Sequence, residues 1–134
     1  MFVTAALMRK PPRASTHKSE EILLVVDDDY QIRKMLIRFL SRNFDKVLAA
    51  ATPTEAEQLL MTHKVTHLIS DYDLGAEHQR GTELVAIWRR RYKSIERALL
   101  LTGCSLVDIE IPAAVDKYFL KGVDAKHLLE ALKP

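Results

Sequence analysis

The chain has 134 residues, of which 48 % are apolar and 28 % charged, and its formal net charge is +2. These values are typical of one globular domain, and they do not indicate a nucleic-acid-binding surface. The single cysteine, Cys104, excludes an internal disulfide, and no apolar run is long enough to cross a membrane, so we expect a cytoplasmic protein with no direct nucleic-acid or membrane partner.

The first 20 residues differ from the rest in composition. They contain Pro11 and Pro12, four basic residues and one acidic residue, and they show no hydrophobic period. A stretch of this kind is typical of a chain end without packing partners. We therefore predict a flexible basic N-terminal tail or linker over residues 1–20 and one domain over residues 21–134.

Strand and helix patterns alternate from residue 21 onward. Short β-rich apolar runs predict buried strands at residues 21–26, 46–50, 66–70, 97–101 and 117–120. Apolar residues at helical spacing predict helices at residues 30–42, from Thr52, at 82–92 and from Asp124. A helix over 105–114 is the weakest of about five, because Pro112 would interrupt it. The alternation predicts an α/β fold, a parallel sheet covered by helices on both faces.

The helix patterns also predict local details. In the first helix the apolar face is formed by Ile32, Met35, Leu36, Phe39 and Leu40. Asp29 precedes that helix and is better suited to an N-cap than to a metal ligand. In the second helix, Thr52 is the expected N-cap and Glu55 closes a capping box. The basic run at residues 89–91 suits a solvated helix C-terminus.

Polar side chains follow four of the predicted strands. Asp27, Asp28 and Asp29 follow the first strand, and Asp71 follows the third. Thr102 and Lys121 follow the fourth and fifth. In an open parallel sheet, functional groups gather at the carboxyl ends of the strands, so these ends predict one small pocket for a metal ion and a phosphoryl group. Clustered carboxylates repel one another, and Mg2+ suits an oxygen-rich site that relieves this repulsion.

The residues at these strand ends resemble those of the receiver domains of bacterial two-component response regulators. The resemblance covers residues 21–133. The similar segments are Val25-Val26-Asp27-Asp28-Asp29, Ile69-Ser70-Asp71-Tyr72-Asp73-Leu74, Leu100-Leu101-Thr102-Gly103 and Tyr118-Phe119-Leu120-Lys121. The family implies a flavodoxin-like, doubly wound, five-stranded parallel sheet of order 2-1-3-4-5.

The resemblance also implies roles for individual residues. Asp71 would accept the phosphoryl group as a carboxylate nucleophile, and Lys121 would pair with the phosphoryl oxygens. Thr102 would hydrogen-bond the phosphoryl group and couple it to Tyr118, an aromatic residue that moves on phosphorylation. The implied Mg2+ ligands are Asp27, Asp28, Asp71 and the main chain of Asp73.

By the same resemblance the protein is a signalling switch and not a metabolic enzyme, with at most limited self-phosphorylation and autodephosphorylation. Its donor would be a histidine kinase or a phosphotransfer protein, and its output a downstream protein target. A monomer or weak dimer is expected. A stand-alone regulator and the receiver of a hybrid sensor kinase both remain open.

The sequence departs from the family pattern in three places. Gly122 follows the lysine where proline is usual, Gly75 replaces another proline in a longer loop after Asp71, and the fourth helix region is short. A pseudo-receiver, a protein-binding scaffold without phosphorylation, is therefore an alternative. Asp71 and Asp73 also match the Asp-x-Asp pattern of haloacid-dehalogenase-type phosphatases, although that motif usually follows the first strand and such enzymes carry an additional cap.

Overall fold

A computed structural model describes residues 20–74 and 80–134. Within these ranges the chain forms five strands and four α-helices. In chain order they are β1 (Ile22–Val26), α1 (Tyr30–Leu40), β2 (Lys46–Ala50), α2 (Pro53–Thr62), β3 (His67–Asp71), α3 (Gly81–Arg91), β4 (Arg97–Thr102), β5 (Lys117–Leu120) and α4 (Ala125–Leu132). The predicted tail up to residue 19 and the predicted loop position Gly75 lie outside the described residues.

The five strands form one parallel sheet. Their order is β2-β1-β3-β4-β5, with β1, β3 and β4 inside and β2 and β5 at the edges. This is the strand order that the resemblance implied, and the prediction of a flavodoxin-like sheet is confirmed. All five carboxyl ends therefore meet at one edge of the sheet, because every neighbouring pair runs parallel.

Helices cover both faces of the sheet. Alternate residues of β1 point to opposite faces, so Leu24 belongs to one core and Leu23 to the other. The first core packs against α2 and α3, and its largest buried side chain is Trp88. The second packs against α1 and α4 through residues such as Leu36 and Leu128. Both faces of the inner strands are therefore buried, as predicted for this fold class.

The prediction of a helix over 105–114 was wrong. The chain between β4 and β5 instead forms turns, with hydrogen bonds from Ile109 N–H to Leu106 O and from Val115 N–H to Pro112 O. Proline has no N–H for a helical hydrogen bond, and its ring clashes with the preceding turn, which explains the outcome. Leu106 and Val115 are buried and attach this segment to the first core.

Hydrogen bonds from Arg89 hold the end of this non-helical segment. Its guanidinium donates to Ala114 O at 2.8 Å, to Asp116 Oδ2 at 2.7 Å and to Glu96 O at 2.6 Å. The prediction of a fully solvated helix end was therefore wrong for Arg89, although Arg90 and Arg91 are exposed. The local pattern did not indicate the contacts with Ala114 and Asp116, because these residues lie 25 and 27 positions from Arg89.

Two smaller predictions also need correction. Phe39 is 57 % exposed, because α1 buries the face centred on Leu36 and Leu40 and Phe39 lies at its flank. Glu55 accepts a hydrogen bond from Ala51 N–H, one residue before the N-cap, while Thr52 caps Glu55 N–H as expected. None of the described helices is both long and apolar enough to cross a membrane.

Candidate functional site

The predicted site residues meet at the carboxyl edge of the sheet. Asp27 directly follows β1, Asp71 ends β3, Thr102 ends β4 and Lys121 directly follows β5. Parallel register sets their levels: Asp71 pairs with Leu101, and Lys121 N–H donates to Thr102 O at 2.8 Å. The strand ends therefore bring these side chains together, as the sequence predicted.

Lys121 lies between two buried carboxylates. Its Nζ is 3.1 Å from Asp71 Oδ2 and 3.3 Å from Asp27 Oδ2. Asp27 is 1 % exposed and Asp71 is 3 % exposed, whereas the Lys121 side chain is 26 % exposed. One ammonium thus partly neutralises two carboxylates that water hardly reaches.

The electrostatics of this pair follow from its burial. Burial raises the pKa of Asp71 to about 6, and the charge of Asp27 adds to this effect against the opposing contribution of Lys121. Burial also raises the pKa of Asp27, although the hydrogen bond from Asp29 N–H and the charge of Lys121 act in the other direction. Burial opposes the charge of Lys121, but the Asp71 hydrogen bond and both carboxylates outweigh it and raise the pKa of the ammonium.

The start of α1 holds Asp27 in place. Asp29 N–H donates to Asp27 Oδ1 at 2.8 Å, and the Arg33 guanidinium donates to Asp27 O at 2.8 Å. The Asp29 carboxylate itself accepts from Gln31 N–H and Ile32 N–H, so it caps the helix as predicted. Its carboxylate is committed to the helix, whereas Asp27 and Asp28 remain the candidates for a metal ion.

The carboxylate cluster fits a divalent cation. Asp27, Asp28 and Asp71 each offer a carboxylate oxygen, and these oxygens lie within 4.8 Å of one another. Within the described residues, buried Asp27 Oδ2 accepts no hydrogen bond, and its contact with Lys121 at 3.3 Å is an ion pair only. A buried carboxylate oxygen without a hydrogen bond is costly, and a hard cation such as Mg2+ would satisfy it. Asp73 lies beside this cluster, since its N–H donates to Asp71 Oδ1 at 3.3 Å.

Thr102 and Tyr118 line two cavities at the site, and within the described residues the Thr102 hydroxyl is hydrogen-bonded to Cys104 and not to a carboxylate. The Thr102 hydroxyl donates to Cys104 O at 2.9 Å and accepts from Cys104 N–H at 3.2 Å. Thr102 lines a cavity of about 740 Å3 together with Asp28, Asp71 and Lys121. Tyr118 is half-buried and lines a neighbouring cavity of about 590 Å3 that Lys121 also reaches. Among the described residues that line these cavities, Lys121 is the one that borders both.

The backbone around Lys121 differs from that of a proline turn. Gly122 adopts a positive φ of 95°, a conformation that favours glycine, and the described residues contain no cis peptide bond. The turn thus follows from the glycine's conformational freedom, and it places Lys121 above Asp71.

Two residues of the site escaped the sequence analysis. A Cβ atom at Gly81 would lie 2.2 Å from Asp71 O, so only glycine lets α3 begin against the end of β3. Arg80 lines the same cavity as Lys121 and pairs with Asp73 Oδ1 at 3.3 Å. A glycine at a predicted helix start was the available signal for the first, whereas nothing in the local pattern indicated the second.

Solved structures that are similar to this chain include receiver domains of response regulators. A signal receiver domain of an HD domain-containing protein from Pseudomonas fluorescens Pf-5 is 29 % identical, with a TM-score of 0.74 over 86 % of this chain and 93 % of that one. A response regulator protein from Burkholderia pseudomallei, solved with a phosphorylated aspartic acid, calcium ion and citrate, is 27 % identical, with a TM-score of 0.74 over 85 % of this chain and 67 % of that one. This chain is a receiver-type domain.

A third matching structure was solved with a metal ion. The response regulator protein TrrA from Thermotoga maritima, in complex with Mg2+-BeF, is 25 % identical, with a TM-score of 0.72 over 84 % of this chain and 96 % of that one. No protein-family model matches this 134-residue chain, and no curated protein sequence matches it. Its assignment therefore rests on three-dimensional similarity.

Proposed function

We propose that residues 21–134 form a phosphoacceptor receiver of a two-component system. Asp71 takes a phosphoryl group from a histidine kinase or a phosphotransfer protein, and the domain then changes conformation for a downstream protein. Its role is that of a signalling switch and not of a metabolic enzyme. The observation that carries this proposal is the position of the Lys121 ammonium, between the buried carboxylates of Asp71 and Asp27 at the carboxyl edge of the sheet.

Asp71 has the properties of the nucleophile. Although burial raises its pKa to about 6, the carboxylate is still mostly ionised at neutral pH, and its burial leaves it poorly solvated. One carboxylate oxygen forms a bond to phosphorus while the bond between phosphorus and the donor imidazole nitrogen breaks, and the imidazole keeps that electron pair. The product is an acyl phosphate on Asp71.

The other residues stabilise the charge that arrives. Asp27, Asp28, Asp71 and the main chain of Asp73 would hold Mg2+, which supplies neutralisation of the phosphoryl oxygens. The Thermotoga maritima response regulator, solved in complex with Mg2+-BeF, supports this choice of metal. Lys121 is close enough to Asp71 to give a charge-assisted contact to the same oxygens.

Thr102 and Tyr118 are the proposed switch. The Thr102 hydroxyl is held by Cys104 in this structure, and it would exchange that partner for a phosphoryl oxygen. Lys121 would move toward the phosphoryl group at the same time, and the cavity that it shares with Tyr118 would change shape. Two such states, one of them favoured by phosphorylation, are what a population shift requires.

Intact-protein mass spectrometry tests the acceptor. With acetyl phosphate and Mg2+, the wild type should gain the mass of one phosphoryl group, and chelation of Mg2+ should prevent this. Asp71→Asn should gain none, because an amide is no nucleophile. Asp73→Asn is the matched control and should still be labelled, since the proposed ligand at that position is the main chain.

The other outcomes separate the alternatives. Labelling that survives Asp71→Asn would mean that another residue is the acceptor. A wild type that binds Mg2+ but is never labelled would be a pseudo-receiver scaffold. Repeated release of phosphate from a generic aryl phosphate would instead indicate a phosphatase with Asp71 as nucleophile.

A further inference from the structure

Arg80 is a second basic residue of the candidate site. It lies immediately before α3 and lines the cavity of about 740 Å3 that also contains Asp28, Asp71 and Lys121. Its backbone is held close to the acceptor strand, because Gly81 N–H donates to Tyr72 O at 2.7 Å and Gly81 packs on Asp71 O. The proposed function assigns no role to this side chain.

Two contacts orient the Arg80 guanidinium. Its central carbon lies 5.3 Å from the centre of the Tyr72 ring, within the range of a cation–π contact. One of its terminal nitrogens lies 3.3 Å from Asp73 Oδ1. The ring of Tyr72 is half-buried and lines the same cavity, so this contact holds the guanidinium beside the cavity.

The ion pair with Asp73 is of the kind that can be exchanged. The Arg80 and Asp73 side chains are 42 % and 65 % exposed, and exposed ion pairs contribute little stability. A phosphoryl group carries more negative charge than a carboxylate, and a guanidinium can bind two of its oxygens at once. A phosphoryl group on Asp71 would thus compete well with Asp73 for the guanidinium.

We propose that Arg80 is a phosphate-binding residue of this site: its guanidinium releases Asp73 and donates to the phosphoryl group, which Lys121 also contacts. Lys121 arrives from the end of β5 and Arg80 from the start of α3, so the two cations come from different elements around Asp71. This inference rests on the proposed function and adds a residue that determines how tightly the phosphoryl group is held.

A positioning role is the competing explanation. The ion pair and a main-chain bridge between Asp73 and Arg80 would then serve to fix the Asp73 carbonyl for Mg2+. The two explanations differ for Asp73→Asn. If Arg80 binds phosphate, loss of the Asp73 carboxylate leaves the arginine available for the phosphoryl group. If Arg80 instead positions Asp73, the same loss removes the contact that fixes the Asp73 carbonyl.

The experiment uses beryllofluoride as a mimic of the phosphoryl group. It measures binding of Mg2+ alone, and then of beryllofluoride at saturating Mg2+, by titration calorimetry or fluorescence. The proteins are wild type, Arg80→Gln, Arg80→Lys and Asp73→Asn, each checked for folding by its NMR spectrum. We expect Arg80→Gln to weaken beryllofluoride binding at least about tenfold, the loss of one charged hydrogen bond. The beryllofluoride affinity of Arg80→Lys should lie between those of Arg80→Gln and wild type, because lysine keeps the positive charge but cannot bind two oxygens at once as a guanidinium does.

The same variants should show opposite behaviour toward the metal. Mg2+ alone should bind Arg80→Gln at least as tightly as wild type, because a positive charge beside the carboxylates has been removed. Asp73→Asn should bind beryllofluoride at least as tightly as wild type. Weaker Mg2+ binding by Arg80→Gln, or equal losses of beryllofluoride binding in Arg80→Gln and Asp73→Asn, would overturn the inference in favour of positioning.

The remaining outcomes keep the two proposals apart. A wild type that binds beryllofluoride as tightly as Arg80→Gln overturns the inference and leaves the proposed function intact. A wild type that binds none, and whose Asp71 is not labelled by acetyl phosphate, overturns both.

Discussion

The inner strands and the edge strand β5 contribute to the same site under different packing. Every residue of β1 and β3 is buried, and these two strands position the carboxylates Asp27 and Asp71. No residue of β5 is fully buried, and this strand positions Lys121 and Tyr118. The segment between β4 and β5 is non-helical and exposes Val107 and Ile109. The two buried carboxylates proposed for chemistry thus lie at the ends of closely packed strands. Of the residues proposed for the response, Tyr118 lies on the loosely packed strand β5, whereas Thr102 ends the buried strand β4.

This difference in packing indicates that the inner strands and the region of β5 have different roles. Side chains on buried strands are fixed by their surroundings, which suits a nucleophile and metal ligands that must keep their geometry. Elements with few buried contacts can move at low cost, which suits a switch. We therefore expect substitutions in the inner region to change stability and metal binding, and those around β5 to change the response.

The largest effect should come from Gly81→Ala. The new Cβ atom would lie 2.2 Å from Asp71 O and 2.9 Å from Leu100 Cδ1, so α3 or β3 must shift. We expect a loss of unfolding free energy on the order of 3 kcal/mol, the upper range for overpacking. Chemical denaturation measures it.

Gly103→Ala is the matched control on the other side of the comparison. Nothing lies within 4 Å of a Cβ atom at Gly103, where the loosely packed segment begins. A change within about 0.5 kcal/mol is expected, as for other exposed positions. Equal destabilisation by the two variants would show that the inner region is no more tightly constrained.

The next effect concerns the pH dependence of stability without divalent cations. The pKa of Asp71 is raised from 3.8 to about 6 by burial and by the charge of Asp27. The folded state therefore binds more protons than the unfolded state in this window, and its stability falls as the pH rises from 3.8 to about 6. Asp71→Asn should remove that part of the slope and be more stable than wild type at pH 7 by on the order of 1 to 2 kcal/mol.

Mg2+ provides the control for this pH effect. A cation that relieves the repulsion should stabilise the wild type and should stabilise Asp71→Asn much less. Unfolding curves at several pH values with and without Mg2+ make the measurement. A wild type whose stability rises between pH 4 and 6 more steeply than that of Asp71→Asn would contradict the assigned burial cost of Asp71.

A smaller effect is expected where Arg89 holds the segment after β4. Asp116 accepts from Arg89 and from Ala98 N–H, and its side chain is 19 % exposed. Asp116→Ala should cost about 1 kcal/mol through these lost contacts, with little change in Mg2+ affinity. Asp108→Ala, an exposed carboxylate of the same segment, is the control and should cost less. Weakened Mg2+ binding by Asp116→Ala would show that the two regions are coupled before phosphorylation.

Much of the fold and of the site could be predicted from local pattern. The alternation of apolar periods predicted the five strands, and the polar residues at four of the strand ends were visible in the sequence itself. The N-cap role of Asp29 was also predicted, because caps depend on residues within one helical turn. Predictions of this kind succeed because their causes are close together along the chain.

The failures share a different cause. Arg89 was predicted to be solvated, but it binds Ala114 and Asp116, which lie 25 and 27 residues away. Arg80 enters the site through a stack on Tyr72 and a contact with Asp73, which follow from how α3 begins. Exposure of Phe39 depends on which side of α1 the second core covers. Tertiary packing decides all three, and no short sequence window contains it.

The most direct test of these different roles is an NMR comparison of wild type and Lys121→Ala, each saturated with Mg2+ and beryllofluoride. Lys121 borders both the carboxylate cavity and the Tyr118 cavity, so it should transmit the response while adding little to the fold. We predict that both proteins bind the phosphoryl mimic, and that shifts at Tyr118 and residues 103–116 occur in the wild type but are lost in Lys121→Ala. The full wild-type shift pattern in Lys121→Ala would contradict the account.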